Sequence, residues 1–113
     1  MAKQLSQRHT VSVGETEVVA VNYTDHLDSG ELLTGTPTVA EQTTSDLTLA
    51  NKAVNTATYL EAVSGDTVAI GAAVQFSALG GTAANSPYTI RVTVTTDATP
   101  ARTFVRDLLL SWT

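Results

Sequence analysis

The chain has no cysteine among its 113 residues. That removes disulfides, thiolate nucleophiles and cysteine-ligated zinc together, and it suits folding in a reducing cytoplasm. Charge is sparse too, with 15% of residues charged against about 25% in ordinary globular domains. The net charge is −5, and the six basic residues (Lys3, Arg8, Lys52, Arg91, Arg102 and Arg106) are scattered along the chain. Phosphate recognition needs clustered Lys and Arg, so no nucleic-acid partner is expected. An acidic surface instead keeps an abundant protein soluble. No apolar run approaches the ~20 residues that cross a bilayer. The opening MAKQLSQRHT lacks the apolar centre of a secretory signal, so neither membrane insertion nor that export route is expected.

Threonine, serine and alanine stand where charge is missing. Threonine is β-branched and tolerates a half-wet pleated surface, which leans the composition toward β structure. A chain of this length makes one domain and buries roughly 65% of its unfolded surface, enough for a core without metals or cross-links.

Alternation carries the secondary-structure signal. In TVAIGAAVQFSAL, Val68, Ile70, Ala72, Val74 and Phe76 take one face, and Ala69, Gly71 and Ala73 the other. In PYTIRVTVTT, Tyr88, Ile90, Val92 and Val94 alternate with Thr89, Arg91, Thr93 and Thr95. Both have the period of two that places successive side chains on opposite faces of a sheet. EVVAVNYT sets Val19, Val21 and Tyr23 against Val18, Ala20 and Asn22. RTFVRDLLLSWT aligns Phe104, Leu108, Leu110 and Trp112, with Arg106 interrupting. Shorter strands are expected near 32–40, 46–50 and 57–63. Turn chemistry at 64–66, 80–81, 85–87 and 96–101 separates them. About seven strands at this spacing predict an all-β sandwich. Residues 17–113 form the expected sandwich domain, and residues 1–16 an N-terminal arm that either frays or orders against a neighbouring subunit.

TDHLDSGE is the densest cluster of chemistry, with Asp25, His26, Asp28 and Glu31. Calcium loops place oxygen ligands at alternate positions. Here the carboxylates are three apart with Leu27 among them, so the stretch reads as a bend. A strand ends at Tyr23 or Thr24, Asp28–Ser29–Gly30 turns the chain, and Glu31 opens the next strand. His9 and His26 are the only histidines, which leaves zinc without its usual ligands and a triad without a well-placed base. GGTAANSPY has no phosphate-binding lysine. Neither a cofactor nor a metal is expected.

Small residues in a row let another backbone approach closely, so Ala69, Gly71 and Ala73 are candidate interface positions. Val105 and Leu109, opposite the core residues of the last strand, join them as apolar surface.

Two stretches carry a resemblance: YTDHLDSGELLTGTPTVAE and LGGTAANSPYTIRVTVTTDATPARTFVRDLLLSW. They resemble the small immunoglobulin-like virion proteins of tailed bacteriophages, often labelled fibre–tail adaptors and similar to capsid cement or decoration proteins. The turn after VTVTT is DATPA, where that family has a tight Gly–Arg turn. The resemblance implies an immunoglobulin-like β-sandwich and a structural role without catalysis, in a virion protein made in the host bacterial cytoplasm. The first expectation is a cement protein, a homo-oligomer with a trimer favoured, that bridges subunits of the major capsid protein. The alternative is a tail or fibre–tail adaptor that docks on a tail protein. A carbohydrate-binding adhesion module ranks behind both, because the aromatic residues fall on core-like faces.

Overall fold

The computed structural model describes residues 8–11, 14–42, 44–61 and 65–112. Among the described residues, nine strands run in chain order: β1 Arg8–Val11, β2 Glu17–Asn22, β3 Leu33–Gln42, β4 Thr48–Val54, β5 Tyr59–Leu60, β6 Thr67–Val68, β7 Ala73–Leu79, β8 Tyr88–Thr96 and β9 Thr103–Trp112. They form a four-stranded sheet in the order β1-β9-β8-β3, a three-stranded sheet in the order β2-β7-β4, and the small β5-β6 hairpin. Pairing is antiparallel except between β1 and β9. The architecture is a β-sandwich.

The alternating apolar positions close the two larger sheets on each other. Val19 and Val21 from β2, with Val74, Phe76 and Ala78 from β7, face Val39, Ile90, Val92, Val94, Leu108 and Leu110 in one buried cluster. An aromatic pair brackets this core at each end. Tyr23 stacks on Phe104 with centroids 5.5 Å apart, and Tyr88 meets Trp112 edge-on at 5.3 Å. Both arrangements suit the ring quadrupole. Four of the residues assigned to the arm, Arg8–Val11, are an edge strand parallel to Leu109–Trp112. The sheet therefore begins before residue 17; residues 1–7, 12 and 13 lie outside the described residues.

The longest expected strand is two strands. After Val68 the chain turns, Gly71 takes φ +81°, and β7 starts only at Ala73. Alternation fails across that turn, and Ile70 is exposed rather than in the core. The turn is held by Asn55, which is buried. Its Oδ1 accepts the backbone N–H groups of Gly71, Ala72 and Ala73 at 3.0–3.1 Å. Its Nδ2 donates to the carbonyls of Ala57 and Ala69 at 3.1 and 2.8 Å. Of the expected strand near 57–63, Tyr59–Leu60 is one side of the hairpin, and residues 62 and 63 lie outside the described residues.

The hairpin covers one end of the three-stranded sheet's outer face. Asn22 and Ala73, which pair across β2 and β7, would face water there. Both are instead buried, Ala73 in a second apolar cluster with Val68, Ala72 and Tyr59. Asn22 Nδ2 donates to Glu61 Oε2 at 2.7 Å.

Candidate docking surfaces

The TDHLDSGE stretch is a structural clasp. After β2 the chain makes a short 3-10 turn, Thr24–His26, then a bend with Gly30 at φ +80°. Glu31 does not open β3; its side chain is almost wholly buried and binds Arg102 from the loop between β8 and β9. Arg102 Nε donates to Glu31 Oε2 at 3.0 Å, and Nη2 donates to Glu31 Oε1 and to the His26 carbonyl, the latter at 2.7 Å. Asp28 N donates back to Glu31 Oε1. The guanidinium also lies 5.2 Å from the Phe104 ring centroid, a favourable cation–π distance. These donors hold the Glu31 carboxyl at about 2, chiefly through the Arg102 hydrogen bond. A charged fork thus fills the space between the carboxylates and ties two loops together. Among the described residues, no three His, Asp or Glu side chains are grouped to hold a metal ion.

The opposite end of the sandwich is braced by a second polar set. Tyr88 Oη donates to Asp46 Oδ2 at 2.8 Å and accepts from Thr82 N at 2.9 Å. Asn85 Nδ2 also donates to Asp46 Oδ2, at 2.9 Å. The Asn85 and Tyr88 bonds hold the Asp46 carboxyl below its ordinary value. Burial pushes the hydroxyls of Tyr23 and Tyr59 up to about 12, so both rings are neutral packing groups at pH 7.

The remaining candidate surface is the sheets themselves, and the five small or apolar positions singled out in the sequence do not share one. Ala69 is exposed in the turn, Gly71 lies against the Leu32 side chain, and Ala73 is buried beneath the hairpin. The flat row read from alternation does not form, because residues 69–72 are not strand. Val105 and Leu109 do lie together on the outer face of β9, one exposed and one half-buried. Between them Asp107 pairs with Arg91 of β8 at 3.0 Å, and the neighbouring outward positions on β8 are Thr89 and Thr93.

The three-stranded sheet offers the broader uncharged surface. Register places Val18 and Ala20 of β2, Gln75 and Ser77 of β7, and Ala50 and Ala53 of β4 on its outer face. None of these can ionise, and the one charged residue of β4, Lys52, lies in the bulge between Ala50 and Ala53. Val18 is 69% exposed, and Leu79 on the same face 39%. Alternation in EVVAV divides these faces, but only the register with β7 says which one meets water.

No protein-family model matches the chain, and neither a curated protein nor a solved structure does.

Proposed function

We propose that this chain is a non-catalytic structural protein of a tailed-bacteriophage particle, an immunoglobulin-like module that docks on the capsid shell and bridges its subunits. The observation that carries the reading is the outer face of β2-β7-β4, whose outward register positions hold no carboxylate in a chain of net charge −5. Leaving an acidic protein's broad sheet face free of carboxylates favours contact with another protein surface over solvation alone.

Two features favour the immunoglobulin-like form of the sandwich. Taking β2, β3, β4, β7, β8 and β9 as strands B to G, the sheets order as B-E-D and G-F-C, the arrangement of that fold. Tyr88, at the start of strand F, binds the backbone six residues upstream through its hydroxyl, as a tyrosine corner does. The carbohydrate reading lacks a stacking platform, since five of the six aromatic residues are buried and Tyr59 is half-buried.

Each copy contributes a modest contact, and symmetric repetition with bridging makes successive contacts effectively intramolecular. Purified particles with and without the protein test this. Cement predicts hundreds of copies per particle by quantitative mass spectrometry, and earlier thermal release of the genome when the protein is absent. Copies numbering about six to twelve, with unchanged genome release, would move the protein to a tail ring.

A further inference from the structure

We propose that the outer edge of β2 is a pairing edge for a second copy of this chain, the two β2 strands joining antiparallel across a twofold axis near Val19. The inference concerns how copies of the chain meet and stands apart from the virion reading.

Sheet edges present rows of unpaired N–H and C=O groups, and proteins blunt them with bulges, proline, charge or short strands. Among the described edge strands of the two larger sheets, β3 and β4 are blunted. β3 has a register break between Thr34 and Thr38, with Gly35 at φ +76° and Pro37 inside it. β4 breaks between Ala50 and Ala53, with Asn51 at φ +56° and Lys52 alongside. β2 has neither bulge nor proline, and its one charge, Glu17, stands at its first residue. EVVAVN pairs with β7 in unbroken register over six residues, without proline, glycine or lysine. It ends its sheet, with no described strand on its other side.

The hydrogen-bond phase shows which groups look outward. Tyr23 N donates to Ala72 O in the same register, so residues 19 and 21 direct their backbone groups to β7. In an antiparallel ladder the alternate residues face the other way, which assigns the edge groups to Val18 and Ala20. Asn22 is buried beside the β5-β6 hairpin, so the usable edge is Val18–Ala20.

That edge is complementary to itself. With the axis near Val19, Val18 stands opposite the second copy's Ala20, and the reverse, giving about four backbone hydrogen bonds. Glu17, the only charged residue of β2, falls opposite the second copy's Val21. The two Glu17 residues are then about 13 Å apart along the strands, beyond the ~8 Å screening length at physiological salt. A pair of chains each carrying −5 can meet here without opposing like charges directly. The product is a continuous six-stranded sheet, and a twofold pair rather than the trimer implied by the resemblance.

Sedimentation equilibrium of the full chain, from micromolar to millimolar protein, tests the proposal. The expected result is a monomer–dimer equilibrium. Ala20→Pro deletes an outward donor in each copy without touching the β7 ladder, and is expected to weaken the dimer roughly thirtyfold. Val18→Lys, at an exposed side chain, is expected to weaken it about tenfold or more, and serves if the proline variant fails to fold. Hydrogen exchange should show the Val18 and Ala20 amides protected only as concentration rises, while Val19 and Val21 are protected throughout. A monomer at millimolar concentration, a dimer indifferent to a folded variant, or Val18 and Ala20 amides protected in the monomer would each overturn it.

Discussion

Replacing Asn55 with alanine is expected to destabilise the domain by about 2–4 kcal/mol, most of it from backbone groups left without partners. The side chain takes part in five hydrogen bonds, but they are not equally replaceable. Gly71 N keeps the Asn55 carbonyl at 3.1 Å and Ala72 N keeps Ala69 O at 3.2 Å. Ala73 N relies on Asn55 Oδ1 at 3.0 Å and sits at a residue with 0% exposure. One fully orphaned buried donor costs roughly 1–3 kcal/mol, and two weakened three-centre bonds add about 1 more. Ala57 and Ala69 are exposed, so water replaces the lost amide donor at their carbonyls for little.

In a domain of this size the loss lowers the melting temperature by about 8–16 °C. Urea and thermal melts followed by the emission of Trp112, the only tryptophan and 2% exposed, measure it. Asn55→Asp keeps the acceptor and removes the two donations, so it separates the two halves of the argument. A loss below about 0.5 kcal/mol for Asn55→Ala, in the range of ordinary surface substitutions, would refute the claim that Asn55 fixes the 69–73 turn.

Two further outcomes follow from the ends of the sandwich. A Cβ at Gly81 would stand inside the Trp112 ring. Gly81→Ala is therefore expected to cost about 1–3 kcal/mol through displacement of the indole, with a red shift in native-state emission; an unshifted spectrum and unchanged melt contradict it. Glu31 sits at about 2 in the folded chain against an ordinary 4.5. Because the folded value is the lower one, its contribution is complete above about 4.5 and is lost as pH falls toward 2. Urea midpoints of Glu31→Gln should be lower than wild type at pH 7 and converge with it across that window, and parallel pH profiles would exclude the clasp as the cause.

Strands with sustained alternation were legible in the sequence: β2, β8 and, despite Arg106, β9 fall where period two places their core residues, and β3 within two residues of its expected end. The 67–79 segment misled because its small residues preserve the alternating pattern through a turn. What breaks the strand is Asn55, sixteen residues before Gly71 in sequence, and no local period reports it. Glu31 carries the same lesson. Its chain neighbours suggest a strand start, while its partner Arg102 lies 71 residues away. Ala73 looked like surface because parity put it opposite Val74; of the hairpin that covers it, one strand lay in the weak 57–63 signal and the other was merged into the 67–79 run. The uncharged face needed register as well as composition, since Val18 and Val19 are the same residue type on opposite sides of one strand.

The parallel pairing of Arg8 with Leu109 bears on how the chain becomes a sandwich at all. β9 lies inside its sheet, between β1 and β8, so β1 has no described neighbour to join until Thr103–Trp112 has been synthesised. Closure over so long a separation favours slow folding, on the millisecond-to-second scale of non-local β topologies. Throughout that wait the nascent strands expose hydrogen-bonding edges that the finished sheet conceals.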